Sequence, residues 1–285
     1  MPTKIEKDIV TGTDTTGHEW DGVKELNTPL PKWWVWTFYV TVVWGIGYCI
    51  AYPSLPWFKG LLGYSQRAEI AQRMDAAKAQ KGPMMERIRS SSLEDIRKNA
   101  QLFEFARAGG RVVFADNCAT CHGSGGAGAL GYPNLADDDW IWGGDLTAIQ
   151  ETIAYGIRNA DDRSRNSQMP KFGVDGVLNA AQIDDVAEYV LSMGNRSGNA
   201  QAAGRGKALY AENCVTCHGE KGEGNREVGA PRLADQIWLY GGDKAAIVKS
   251  IAQSRAGSMP AWAGRFDEAT IKMLAVYVHG LGGGE

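Results

Sequence analysis

Hydrophobic and polar positions divide the chain into four regimes. Residues 1–32 are polar, rich in Thr, Asp and Gly, without the period of a helix or a strand, and read as a flexible tail. From Trp33 to Tyr52 come twenty residues without a charge, WWVWTFYVTVVWGIGYCIAY. That is about the length a helix needs to cross a bilayer core. Trp33, Trp34 and Trp36 at one end, and Tyr48, Tyr52 and Trp57 toward the other, take the places of an interfacial aromatic belt, and Pro53 and Pro56 close the run. A transmembrane helix is predicted. The competing reading is a buried helix of a soluble protein; a cleaved signal peptide fits poorly, because the run is long and lacks a small-residue cleavage site.

Between residues 60 and 111 charges alternate with Ala, Ile, Met and Leu. The pattern predicts two amphipathic helices with a break near Gly82 and Pro83, the second opening at Ser92 with Asp95 as its capping partner. Leu93, Ile96, Leu102 and Phe103 recur at roughly helical spacing in it. This connector reads as packing on a partner or the membrane face, or as a solvated spacer.

The remaining pattern occurs twice. RVVFADNCATCHG matches GKALYAENCVTCHG, PNLADDDWIWGGD matches PRLADQIWLYGGD, QMPKF matches SMPAW, and AEYVLSMG matches AVYVHGLG, in the same order. A Gly/Ser/Asn-rich join covers residues 194–204. Each copy is predicted to be mainly helical. A helix carries Phe114 or Tyr210, and a Gly-rich loop follows. A helix then covers Leu146 to Gly156 or Ala245 to Ser254, a loop holds a Met, and the last helix covers Ala180 to Met193 or Glu268 to His279. The divisions are a tail at 1–32, a span at 33–52, a connector at 53–106, and repeats at 107–196 and 197–285.

The candidate chemistry lies inside the repeats. Cys118, Cys121 and His122 form one C-x-x-C-H string, and Cys214, Cys217 and His218 form the other. This is the attachment signature of a c-type haem: two thiols one turn apart reach the two vinyl groups, and the next residue offers its imidazole to the iron. C-x-x-C alone would also suit a thioredoxin-like redox site or half a zinc site. A zinc site or disulfides leave the duplicated His and its surroundings unexplained. For the opposite axial position the candidates are Met169 and Met259, each followed by a proline (Pro170, Pro260) that favours an extended loop. They follow His122 and His218 by 47 and 41 residues, enough chain to round a haem. Met193, Met273 and His279 compete but fall in the last helices, where packing or surface roles account for them. Which Met serves which haem is open, an exchange between repeats included. A His/Met iron has no vacant position, so such haems pass electrons and carry out no bond chemistry.

Composition adds little. A net charge of -3 and no Lys/Arg-rich run give no sign of nucleic-acid binding. The 36 glycines suit loop-rich domains whose core is partly a prosthetic group. Cys49 lies outside both motifs and reads as a small buried hydrophobe. His18 has acidic neighbours but no metal-site spacing. The first repeat is acidic (Asp116, Asp137, Asp138, Asp139, Asp145, Asp161, Asp162 among others), which either steers a basic donor cytochrome c or simply solvates the surface. The loop aromatics Trp140, Trp142, Trp238 and Tyr240 either touch a haem edge or the other domain, or pack locally. Basic residues flanking the span nearly balance, Lys24 and Lys32 before it and Lys59 and Arg67 after it. Because haem c is attached in an oxidising compartment outside the cytoplasmic membrane, the N-terminus is expected in the cytoplasm and the repeats in the periplasm.

The helix order of each repeat resembles the class I cytochrome c domain, in which first and last helices cross. The stretch HEWDGVKELNTPLPKWW, one hydrophobic span, PWFKGLLGYS and two C-x-x-C-H repeats resembles the dihaem subunit family (CcoP or FixP) of cbb3-type cytochrome c oxidases, in its single-span form. The resemblance covers the whole chain. It implies a mainly α protein with one N-terminal transmembrane helix and two tandem class I cytochrome c domains. It further implies two covalently bound haem c groups, on Cys118 and Cys121 and on Cys214 and Cys217, with His122 and His218 proximal and Met169 and Met259 distal. Electrons would come from a donor cytochrome c and pass to a monohaem cytochrome c subunit and a catalytic haem-copper subunit, which reduces oxygen and pumps protons. The chain would be an electron relay within an enzyme, with membrane lipid around its span and no catalytic centre of its own. Rival readings are an anchored dihaem carrier for another dehydrogenase or reductase, and a dihaem peroxidase or gas sensor.

Overall fold

Between Pro31 and Pro53, Lys32 and the uncharged run that follows it form helix α1 (Lys32–Ala51). None of its residues is buried within the chain, and apolar side chains surround it, so only lipid or another chain can cover them. It is long and apolar enough to cross a membrane. Cys49, expected to be buried, is exposed on this helix. The correction has a simple cause: the chain folds no core around α1.

The computed structural model describes residues 4–285, which divide into two compact units, one ending at Lys78 and one beginning at Ala79. In the first unit the polar N-terminal segment is not a featureless tail. Strands β1 (Thr15–Trp20) and β2 (Val23–Leu26) pair antiparallel around Asp21 and Gly22, whose φ values of 49° and 84° are those of a two-residue type I′ turn. Asp-Gly is the sequence signal for such a turn. It is easily missed here because the flanking strands are polar.

Helix α2 (Gln66–Ser90) runs through Gly82 and Pro83 without the expected break. Proline removes one backbone hydrogen bond, but the Ala, Lys, Gln, Met, Glu and Arg around it are strong helix formers and carry the helix across. The expected cap at Ser92 is present: its hydroxyl accepts the Asp95 N–H at 3.1 Å and opens α3 (Leu93–Lys98). The Asn99 side chain then accepts the Leu102 N–H at 3.1 Å and opens a new helix, α4 (Ala100–Asn117). Ile88, Leu93, Ile96 and Leu102 are buried with Phe114 in one core. Residues 88–102 are thus part of the C-terminal unit's core, and the spacer reading does not hold for them.

Nearly all remaining helices fall where their pattern predicts. The first repeat continues with α5 (Ala119–His122), α6 (Leu146–Tyr155) and α7 (Ala180–Met193). The second contains α8 (Ala200–Asn213), α9 (Val215–His218), α10 (Lys244–Gln253) and α11 (Glu268–His279). Asp145, Asn179, Asn199, Asp243 and Asp267 cap α6, α7, α8, α10 and α11 by accepting first-turn N–H groups. The Asn199 cap starts α8 inside the expected join and shortens it.

Packing does not follow sequence order. The first helix of each repeat crosses the last helix of the other: α4 lies on α11, and α8 on α7. Both crossings are made at a glycine eight residues before the first motif cysteine. A β-carbon at Gly110 would stand 2.3 Å from the Met273 carbonyl oxygen, and one at Gly206 would stand 2.0 Å from that of Asp185. Only a residue without a side chain permits this approach. An aromatic pair closes each crossing, Phe114 with Tyr277 at 5.3 Å and Tyr210 with Tyr189 at 5.2 Å between ring centres. Two cores result, one built on α3, α4, α6 and α11, the other on α7, α8 and α10.

Candidate haem sites

Each C-x-x-C-H string sits at the C-terminal end of a crossing helix. Cys118 ends α4 and Cys214 ends α8, and a single further turn carries the chain to the histidine. The turn closes with the Cys121 N–H on the Cys118 carbonyl and the Cys217 N–H on the Cys214 carbonyl, both at 3.1 Å. In each pair the first cysteine faces a core and the second is exposed. Burial pushes the Cys118 and Cys214 thiols up to about 11, so both stay protonated at neutral pH. The turn ends at Gly123 or Gly219, each at φ 77°, a left-handed conformation that reverses the chain into the glycine-rich loop.

Both imidazoles are oriented in one way. His122 Nδ1 lies 3.1 Å from the Pro133 carbonyl oxygen, and His218 Nδ1 lies 3.0 Å from that of Pro231. A carbonyl can only accept, so the proton sits on Nδ1 and Nε2 keeps its lone pair for a metal. Burial lowers the pKa of both rings, which favours the neutral, ligating form.

Met169 and Met259 lie on extended loops as their following prolines imply, and each packs against one of the two cores. Met259 belongs to the core that includes Cys118, Ala119 and Leu135; Met169 belongs to the core that includes Cys214, Val215 and Leu233. Met273 is buried in the first core, Met193 packs against the second, and His279 Nε2 lies 2.9 Å from the Glu285 carbonyl oxygen. Met273 and Met193 thus pack in the last helices, while His279 lies near the surface.

Beside the second motif lies a cavity of about 860 Å³. Thr216, Cys217 and Pro231 line it together with Asp139, Trp140 and Ile141 from the other repeat. A cavity of this size is in the range that holds a small-molecule cofactor. Away from the lining of this cavity, Arg196 Nε and Nη2 are buried without a hydrogen-bond partner beside the Trp238 ring. Paired thiols, an imidazole with a free Nε2, and a cavity open at the exposed cysteine all fit a covalently held haem.

The loop aromatics bridge the repeats. Trp142 lies against Gly229 so closely that a β-carbon there would stand 2.1 Å from the indole, and Tyr240 lies against Gly131. The Gly131 N–H donates to the Leu239 carbonyl at 2.7 Å. Arg165 and Arg255 stand over the Trp142 and Tyr240 rings at 5.3 and 4.9 Å. These arginines escaped the sequence reading, although both occupy the same place before the Met-Pro pair, SRNSQMP and SRAGSMP.

Known proteins share these features in the same order. Residues 12–59 match the family model for the N-terminal domain of cytochrome oxidase-cbb3, FixP. Residues 107–194 match cytochrome c, and residues 201–278 match cytochrome c oxidase, cbb3-type, subunit III. The cbb3-type cytochrome c oxidase subunit FixP of Bradyrhizobium sp. (strain ORS 278) is 54% identical, with 100% of both chains covered. The subunit CcoP of Azospirillum brasilense is 53% identical over 98% of this chain and 99% of its own length. CcoP of Cereibacter sphaeroides is 48% identical over 95% of each. Likeness over the full length, hairpin and span included, goes well beyond what two cytochrome c motifs alone would produce. The chain belongs to the FixP/CcoP family of cbb3-type cytochrome c oxidase subunits.

Proposed function

We propose that this membrane-anchored oxidase subunit carries two covalent haem c groups and relays electrons from a donor cytochrome c to the monohaem and catalytic haem-copper subunits of its complex. The observation that carries the reading is the repeated site itself: two thiols on one turn, followed by an imidazole, half-buried in the first copy and buried in the second, whose Nδ1 is held by a proline carbonyl. Cys118 and Cys121, and Cys214 and Cys217, would hold the haems covalently, each sulfur bonding one vinyl carbon while its thiol proton passes to the other. His122 and His218 would hold the irons through Nε2, and Met169 and Met259 through sulfur. A haem so bound supplies one-electron exchange between ferric and ferrous iron, at a potential raised by the thioether ligand.

The residues serve that exchange by position. The proline carbonyls hold the imidazoles in the ligating tautomer, the cores exclude water from one face, and the exposed second cysteines mark where an edge meets solvent or a partner. With a His and a Met side chain on each iron, no position would be left for oxygen, and oxygen reduction would belong to the catalytic subunit. The N-terminal hairpin faces the cytoplasm and the haem unit faces the periplasm, because thioether formation needs that compartment. Purification of the tagged chain in mild detergent tests the assembly. Haem b, copper and cytochrome c oxidase activity are expected to copurify with two haem c per chain; haem c alone, without activity across several detergents, would overturn it.

A further inference from the structure

We propose that the bilayer contact of this chain continues past α1: residues 53–64 fold back over the end of the span as a cap in the head-group layer, with Leu55, Trp57, Leu61 and Leu62 entering the acyl chains. The occupant of this surface is lipid. The inference concerns the anchor alone and goes beyond the electron-relay reading.

Hydrogen bonds at the end of the span are the first observation. The last four carbonyls of a helix have no partner within the helix and are commonly left to water. At the end of α1 the chain itself takes all four. The Tyr52 N–H donates to the Tyr48 carbonyl and the Ser54 hydroxyl to that of Cys49, both at 2.9 Å, while the Leu61 and Leu62 N–H groups return to Ile50 and Ala51 at 3.0 and 3.1 Å. Acyl chains offer no donor, so a helix end that meets lipid has to be closed from within. One that ends in water has no such need.

The return of the loop depends on Gly60. Its φ of 73° is left-handed, and a β-carbon there would stand 2.5 Å from the Ala51 carbonyl oxygen. A column of rings ties the loop to the helix, Trp44 on Tyr48 at 5.4 Å, Tyr48 on Tyr52 at 4.7 Å, and Tyr52 edge-on to Tyr64 at 5.6 Å between ring centres.

The side chains of the loop are the second observation. Trp57, Leu61, Leu62 and Leu55 are 80, 78, 63 and 51% exposed. Because the loop is bonded to the last turn of α1, this patch continues the uncovered apolar surface of the span, which a bilayer covers. From Trp33 to Gln66 the one charge is Lys59, whose long stem lets its ammonium reach the phosphates while its carbons stay with the apolar chains. Charges resume in α2, where Glu69 pairs with Arg73 and accepts the Tyr64 hydroxyl at 2.7 Å. An apolar loop with a rim of Trp, Tyr and Lys has the composition of a membrane interface.

The test uses the full chain in its oxidase complex in native membranes. Trp57, Leu61 and Leu62 are replaced, in separate variants, by the photoreactive p-benzoylphenylalanine, with Val43 on the span as the control position. On illumination a benzophenone bonds to C–H groups that touch it and spares water, and mass spectrometry identifies what the chain has captured. Adducts carrying the mass of a membrane phospholipid are expected at all three loop positions. Adding Gly60→Ala, which pushes the loop off the helix end, is expected to abolish them at Leu61 and Leu62 and to leave those at Val43 unchanged. Capture of another oxidase subunit at the three positions would overturn the lipid assignment in favour of a protein contact. Absence of any adduct at the loop while Val43 reacts would place the loop in water and overturn it as well. Three separate positions, all exposed, keep the readout if one variant fails to accumulate.

Discussion

Asp139 shows how one side chain records the meeting of the repeats. Burial is the main cause that raises its carboxyl from the ordinary 3.8 to about 6, and the charges of Asp235, Asp137 and Asp138 add to it while Arg232 opposes. A group whose folded pKa is raised holds its proton more tightly folded than unfolded. It costs nothing below about pH 4, and its penalty grows to full size as pH rises through about 6. Asp139→Asn should therefore stabilise the chain at pH 7.5 by about 1 kcal/mol, after discounting for the solvent that still reaches the group, and change little at pH 4. Thermal unfolding at the two pH values checks this; an equal shift at both would mean that the charge is not the cause.

Among the elements, the crossing glycines carry the largest consequence for the fold. Gly206 brings α8 onto the Asp185 carbonyl of α7 with no room for a β-carbon. In an exposed helix, Gly→Ala would gain about 1 kcal/mol of helix propensity. Here the forced separation of two buried helices outweighs that gain, and Gly206→Ala is expected to destabilise the protein by about 2–3 kcal/mol. A lowered melting temperature with the haem content unchanged is the expected result, and a stabilised variant would show that the helices can part at low cost. Nearby, Arg205 reaches the Asp185 carboxylate at 2.5 and 2.8 Å and reinforces the same crossing from its exposed side.

For the whole molecule, the interleaved cores change what counts as a cooperative unit. Two tandem domains joined by a linker would be expected to melt separately. In this chain each core draws helices from both repeats, and Trp142 and Tyr240 lock each loop onto the opposite one. Residues from 79 onward should unfold in a single transition by scanning calorimetry, with both haem bands changing together. Two resolved transitions, each perturbing one haem band, would indicate independent domains.

Local chemistry was legible in the sequence. The C-x-x-C-H strings, the duplicated order of elements, the long uncharged run and the cap at Ser92 each depend on residues close along the chain, and so do the lengths of α6, α7, α10 and α11. The resemblance to the oxidase subunit rests on such strings too, and the comparisons bear it out. What the pattern missed depends on context. The Asp-Gly hairpin formed without alternating apolar strands, α2 crossed Pro83 because its neighbours outweigh one lost hydrogen bond, and Cys49 is exposed because nothing in the chain surrounds it. The partnership between repeats could not be read from sequence at all. Both repeats carry the same glycine, aromatic and Met-Pro signals, so periodicity is satisfied equally by pairing within a repeat or across. Only the three-dimensional packing, with Met259 beside Ile157 and Met169 beside Ser254, chose between two arrangements that the local residues leave equivalent.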